Sequence, residues 1–381
     1  MKKLTAVCLT ALLLCLFCLP AMAAEIPLTS RAALLMEKST GEILFAKNEH
    51  ERLEPASVTK IMTLLLTMEA IDSGKIGWQD MVTVSANAAS MGGSQVYLAE
   101  GEQISVEELV KSVCVSSGND AAVALAEYVS GVTELFVEQM NNKARELGMN
   151  DTNFVNCTGL TADGHVTSAY DIALMSRELI LHHPAIRTYT TIWMDTIRNG
   201  TFGLSNTNKL VRYYEGCTGL KTGYTASAGY CMSATAEKDG MELIAVIMKG
   251  ETSDKRNTDA KALLNYGFST YAVSCITPAE PLPQLPVAQG VCNAVGLKLP
   301  EEGCSVLLEK GAADSLTQTL TLPDQITAPV TVGDMVGELT VYSGETAVLQ
   351  IPVLAADSVE RLTWGQTFAR LFRALLFLSE T

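Results

Sequence analysis

Four prolines crowd the segment Thr277-Pro278-Ala279-Glu280-Pro281-Leu282-Pro283-Gln284-Leu285-Pro286. Proline at this density disfavours both a helix and a central strand. The chain is therefore read as two folded units that meet there. With 381 residues, 48% hydrophobic and 18% charged, it can bury a core in each unit and is no candidate for disorder. A formal net charge of −15 argues against nucleic acid as a partner, because phosphate binding needs a basic face. The acidity reads as solubility.

The two ends differ in character from the middle. Lys2 and Lys3 precede an apolar run from Leu4 to Leu19, followed by Pro20 and the small-x-small triplet Ala21-Met22-Ala23. The run is short for a span of roughly 20 apolar residues. Residues 1–24 are therefore expected to be a cleaved signal peptide, and the protein to work outside the cytoplasm. At the other end, residues 356–381 hold Trp364, Phe368, Leu371, Phe372, Leu375 and Leu376 on one helical face, with Arg370 and Arg373 opposite. Phe377 interrupts the polar face. The pattern predicts an amphipathic helix lying on a membrane surface; packing on the second unit is the competing reading.

In the first unit, residues 25–273, the pattern alternates between strands and helices. Residues 31–36 and 43–46 read as a hairpin. Ile61, Leu64, Leu65, Met68 and Ile71 repeat at helical spacing after Pro55-Ala56-Ser57, until Gly74 and Gly77. Further helices are predicted over 105–129, broken near Ser116-Ser117-Gly118-Asn119, over 131–147, over 168–182 and near 256–266. Strands are predicted at 216–224, 228–236 and 241–249. The second unit, residues 274–355, carries short alternating runs such as Leu316-Thr317-Gln318-Thr319-Leu320-Thr321-Leu322, which suit a small β-sandwich or barrel.

Chemistry is suggested by three short motifs. In Ser57-Val58-Thr59-Lys60, a spacing of three puts Lys60 one turn from Ser57 on the same face. Ser57 at a helix N-terminus lies where developing negative charge is favoured. A lysine kept neutral by burial and by a second cation can take its proton. Ser117-Gly118-Asn119 puts two polar side chains at a helix break, since glycine weakens a helix. Lys221-Thr222-Gly223 puts a cation and a hydroxyl on a strand that a substrate backbone can approach closely at the glycine. Each motif alone also fits an ordinary cap, turn or edge strand.

Together, in this order, they resemble the penicillin-binding proteins and serine β-lactamases. Gly118 stands where that signature has Asp. With Gly219-Leu220-Lys221-Thr222-Gly223-Tyr224-Thr225 and Leu147-Gly148-Met149…Thr152-Asn153-Phe154-Val155-Asn156…Gly159-Leu160, the chain is similar to low-molecular-mass D-alanyl-D-alanine carboxypeptidases. The resemblance implies an α/β (α+β) penicillin-binding/β-lactamase-like transpeptidase domain, an antiparallel sheet flanked by helices, followed by a small all-β domain. It implies Ser57 as acylated nucleophile, Lys60 as its base and Ser117 as proton relay to the leaving amine. Asn119 would hold a substrate amide. Lys221, Thr222 and Arg256 would bind the terminal carboxylate, a task that suits an Arg fork. Gly223 would admit the substrate backbone. The N–H groups of Ser57 and Tyr224 would form an oxyanion hole. Peptidoglycan stem peptides would be substrates and β-lactams inhibitors, with no cofactor.

Two rivals remain in view. A serine β-lactamase of class A needs a deacylating glutamate. Glu146 followed by Asn150 is the one decoy, expected at a helix end. A catalytically silent penicillin-binding wall module would keep Ser57 and lose turnover. No metal site is expected: the histidines are only His50, His165, His182 and His183, and the cysteine spacings match no zinc motif. Three of ten cysteines fall in the expected signal. Cys217 and Cys231 are candidates to pair across strands, and Cys114 reads as core packing.

Overall fold

The structure is a computed structural model that describes residues 26–311 and 316–375. The expected signal peptide, Leu376 and Phe377 lie outside the described residues.

The first unit is built on a five-stranded antiparallel sheet. Its strands are β1 (Ala32–Glu37), β2 (Ile43–Lys47), β3 (Cys217–Thr225), β4 (Gly229–Lys238) and β5 (Met241–Gly250), in the order β2-β1-β5-β4-β3. The hairpin β1–β2 is as predicted, but β1 takes its second partner, β5, from the far end of the domain. Alternate residues of the central strands feed two separate cores. Leu34, Met36, Ile244 and Val246 pack with Ile61, Leu64, Leu65 and Met68 on one face. Leu35, Leu243, Ala245 and Ile247 pack with Leu263 and Leu264 on the other. Cover on both faces explains why β5 is a near-continuous apolar run. Each fully buried Leu or Ile contributes about 1.5–3 kcal/mol.

One face is covered by α1 (Lys60–Asp72), α2 (Val106–Ser116), α3 (Asn119–Ser130), α4 (Thr133–Glu146) and α5 (Ala169–His182); the other by α6 (Ser253–Thr270). Side-chain caps set several starts. Ser105 Oγ accepts the Glu108 N–H, Ser168 Oγ that of Asp171 and Thr252 Oγ1 that of Lys255. The first helix departs from expectation at its start. The α-helix begins at Lys60, and Ser57 sits in a single 3₁₀ turn, Ala56–Thr59, in front of it.

The second unit takes over directly after α6, slightly ahead of residue 274. Strand β6 (Tyr271–Cys275) already pairs with β7 (Ser305–Glu309). A four-stranded antiparallel sheet runs Leu297–Lys298, β10 (Thr346–Ala355), β9 (Met335–Ser343), β8 (Leu316–Thr321). Ile351, Val353 and Ala355 alternate inward along β10. Bridges from Val359 to Val330 and from Arg361 to Gly290 extend this unit past residue 355. Helix α7 therefore starts at Trp364 and runs to Leu375. Arg370 donates to the carbonyls of Gly290 and Val291 at 3.1 and 3.0 Å, so its side of α7 faces the β unit. Trp364, Phe368, Leu371, Phe372 and Leu375 remain exposed. Among the described residues no helix is long and apolar enough to cross a membrane.

The cysteine pairing is corrected. Cys217 and Cys231 are free thiols. Cys217 lies opposite Ala236 and Cys231 opposite Gly223, at separate places along the β3–β4 ladder. Cys114 is buried in the core, as expected.

Candidate active site

Ser57, Lys60, Ser117, Asn119 and Lys221 converge between the 3₁₀ turn, the α2–α3 junction and β3. Lys60 Nζ donates to Ser57 Oγ at 2.9 Å, to Asn119 Oδ1 at 2.6 Å and to the Thr158 carbonyl at 2.7 Å. All three acceptors are uncharged, and no carboxylate pairs with Lys60 among the described residues. Lys60 is fully buried. Burial, then the positive charge of Lys221, hold its pKa well below that of a free lysine.

Lys221 Nζ donates to Ser117 Oγ at 2.9 Å and to the Thr222 carbonyl at 2.8 Å. Burial, with a smaller push from Arg256, brings its pKa down to about 7. The two lysines thus form a like-charged pair, each linked to one serine. Both have only uncharged acceptors, and each lies near a second cation, Lys60 near Lys221 and Lys221 near Arg256, so the charged form of each is disfavoured.

Ser117 reaches this position through a left-handed backbone, φ 63°. The break between α2 and α3 covers Ser117 and Gly118, whose ψ of 122° is also non-helical. Gly118 is required for space: a Cβ there would lie 2.9 Å from Asp120 Oδ1. Asn119 is held by its N–H to the Ser94 carbonyl, 2.7 Å, and by Nδ2 to the Gly92 carbonyl, 2.6 Å. Thr222 Oγ1 donates to Thr207 Oγ1 at 2.7 Å. A Cβ on Gly223 would lie 2.8 Å from the Ser57 nitrogen, so glycine lets β3 close onto the nucleophile's turn.

Arg256, on the first turn of α6, is buried, and its pKa is lowered by that burial to about 10. Its guanidinium donates to Asn257 Oδ1 and Ser253 Oγ and lies 6.0 Å from the Tyr230 ring. Among the described residues no carboxylate pairs directly with it, and a buried cation so placed is costly, so this one is suited to an anionic ligand. Tyr224 is exposed and packs its ring 4.3 Å from Tyr230.

Val155, Asn156, Gly159 and Leu160 stood in the sequence only as part of the resemblance, and the loop at 155–165 was given no role in the site. Asn156 Oδ1 accepts from the N–H groups of Thr158 and Gly159 and from Thr158 Oγ1. This turn presents the Thr158 carbonyl to Lys60. His165 and Thr207 were missed too. An Asn two residues before Thr-Gly was the available turn signal. Glu146 ends α4 and pairs on the surface with Lys143 at 3.0 Å, with no role in the site.

The arrangement can abstract a proton from Ser57 Oγ, stabilise an oxyanion and hold a carboxylate. Its relatives do related chemistry. The family model described as D-alanyl-D-alanine carboxypeptidase matches residues 20–252, and the one described as penicillin-binding protein 5, C-terminal domain, matches residues 281–361. The chain is 39% identical over 373 residues to the D-alanyl-D-alanine carboxypeptidase DacF of Bacillus subtilis, covering 95% of each. It is similar to the crystal structure of penicillin binding protein 5 from Haemophilus influenzae, with TM-score 0.76 and 30% identity over 88% of this chain and 98% of that one. It is also similar to penicillin-binding protein D2 of Listeria monocytogenes in its ampicillin-bound form, with TM-score 0.59 and 33% identity over 63% and 98%.

Proposed function

Since the chain belongs to the D-alanyl-D-alanine carboxypeptidase family, we propose that it hydrolyses the terminal D-Ala-D-Ala bond of peptidoglycan stem pentapeptides through Ser57. It is a serine-type hydrolase of the penicillin-binding class. The observation that carries the assignment to Ser57 is the neutral environment of Lys60, 2.9 Å from the Ser57 hydroxyl.

Lys60 takes the Ser57 proton as Oγ bonds to the carbonyl carbon of the penultimate D-alanine. The N–H groups of Ser57 and Tyr224 receive the oxyanion. The C–N bond then breaks, and the leaving amine takes a proton through Ser117. Water hydrolyses the ester, releasing a tetrapeptide stem. Asn119 holds a substrate amide. Arg256, Lys221 and Thr222 bind the terminal carboxylate, and Gly223 leaves room for the substrate backbone. A β-lactam acylates the same serine and lacks a departing amine.

The test is incubation with a D-Ala-D-Ala pentapeptide and assay of free D-alanine. Release abolished by Ser57→Ala supports the reading. Stable acylation by penicillin with no D-alanine released contradicts it and favours a silent wall module. The surface position of Glu146 speaks against the β-lactamase alternative.

We further propose export by residues 1–24, and peripheral attachment to the outer side of the cell membrane through α7. The exposed row Trp364, Phe368, Leu371, Phe372 and Leu375 supports this.

A further inference from the structure

We propose that His165 is a positioning residue for acylation, acting through Thr59 on the peptide unit that joins Ala56 to Ser57. The inference rests on Ser57 as the acylated residue. His165 is 2% exposed and touches none of the reacting groups described above. Its Nδ1 accepts the Val155 N–H at 3.0 Å. The ring nitrogen facing Thr59 must then carry the proton if it is to bond. Nε2 lies 2.8 Å from Thr59 Oγ1, and that hydroxyl donates to the Ala56 carbonyl at 2.9 Å. The result is a directed chain: His165 N–H to Thr59 O–H to Ala56 C=O. Burial pushes the His165 pKa down to about 4, which keeps the ring in this neutral form.

The end of the chain matters. Ala56 adopts φ 48°, a left-handed backbone that L-residues avoid. Its carbonyl and the Ser57 N–H belong to one planar peptide unit. Holding the carbonyl from behind therefore aims the N–H into the cleft as an oxyanion donor. The other arm of His165, to Val155, fixes the start of the loop that presents the Thr158 carbonyl to Lys60. One side chain thus ties the oxyanion donor's turn to the loop that orients the base. Neither effect concerns substrate affinity, so loss of His165 should slow acylation and leave binding alone.

The experiment measures the acylation rate with a fluorescent penicillin, and kcat and KM for a D-Ala-D-Ala peptide, in four variants of the full chain. His165→Leu and Thr59→Val cut the chain; His165→Gln and Thr59→Ser keep a donor and an acceptor in place. Expected is a fall of roughly 10- to 100-fold in acylation rate and kcat for the cutting pair. KM should change little, and the conservative pair should restore most of the rate. Melting curves show which variants fold. If His165→Leu does not fold, the comparison of Thr59→Val with Thr59→Ser decides. Native acylation rates in the cutting variants, or equal losses in the conservative ones, overturn the inference. A native protein not labelled at Ser57 defeats the family-based reading instead, before any variant is compared.

Discussion

Gly159 packs so closely on Ala56 that a Cβ at Gly159 would lie 1.8 Å from the Ala56 carbonyl oxygen. Gly159 also holds φ 81°, where only glycine is unstrained. The contact seats the Thr158 loop against the nucleophile's turn, so the base and the nucleophile are positioned by one piece of packing. Gly159→Ala should destabilise the fold by about 2 kcal/mol or more and abolish acylation. Gly148→Ala is the control. It shares the positive φ, 74°, but has open space around its Cβ, so it should lose only about 1 kcal/mol and keep its activity. Melting curves with penicillin labelling check both.

The two lysines define the pH dependence. Lys60 must be neutral to act, so the acylation rate should rise as pH passes upward through its lowered pKa. Lys221 loses its charge near pH 7 in the free enzyme, so kcat/KM should fall above that point as carboxylate binding weakens. Lys221→Gln removes a positive neighbour from Lys60. Lys60 then holds its proton to higher pH, and the acidic limb of the acylation profile should move upward. An unmoved limb would show that Lys221 does not influence the base.

Arg256 should act on one end of the substrate. Arg256→Ala is expected to lower kcat/KM for a peptide with a free C-terminal carboxylate by roughly 10- to 100-fold, the worth of a charged hydrogen-bonded contact. The same change should hardly affect the corresponding C-terminal amide. Arg256→Lys should recover only part of the loss, because an ammonium cannot make the forked contact. Steady-state kinetics on the two peptides give the comparison. Equal losses on both would assign Arg256 a structural role.

Helix α7 leaves Phe368 and Leu371 70% and 60% exposed. The full chain should sediment with anionic phospholipid vesicles, and Phe368→Asp with Leu371→Asp should release it while leaving D-alanine release on a soluble peptide unchanged. Undiminished sedimentation of the double variant would place the membrane contact elsewhere.

Much of this was legible from spacing. Ser57 and Lys60, three apart, and the polar pairs at Ser117 and Asn119 and at Lys221 and Thr222, needed only local geometry to stand out. The apolar run of β5 marked a covered sheet, whereas the proline-rich segment falls after β6 has already paired with β7. What stayed hidden depends on distant packing. The 3₁₀ turn at Ala56–Thr59 has no periodicity of its own and is held by Gly159 and Gly223, each far along the chain. The Thr158 carbonyl, the third partner of Lys60, is backbone, so no residue type advertises it. His165 looked like one of four scattered histidines because its partners, Val155 and Thr59, meet only in the fold. The start of α7 at Trp364 was obscured because Val359 and Arg361 are taken up by bridges to the β unit.

The central claim is that Ser57 carries the acyl group during turnover of a D-Ala-D-Ala peptide. Acid-quenching the enzyme in mid-turnover and mapping the adduct by peptide mass spectrometry tests it directly. The account predicts a tetrapeptide ester on Ser57, with no adduct in Ser57→Ala and no free D-alanine formed by that variant. An adduct on another residue, or D-alanine released by Ser57→Ala, would contradict it.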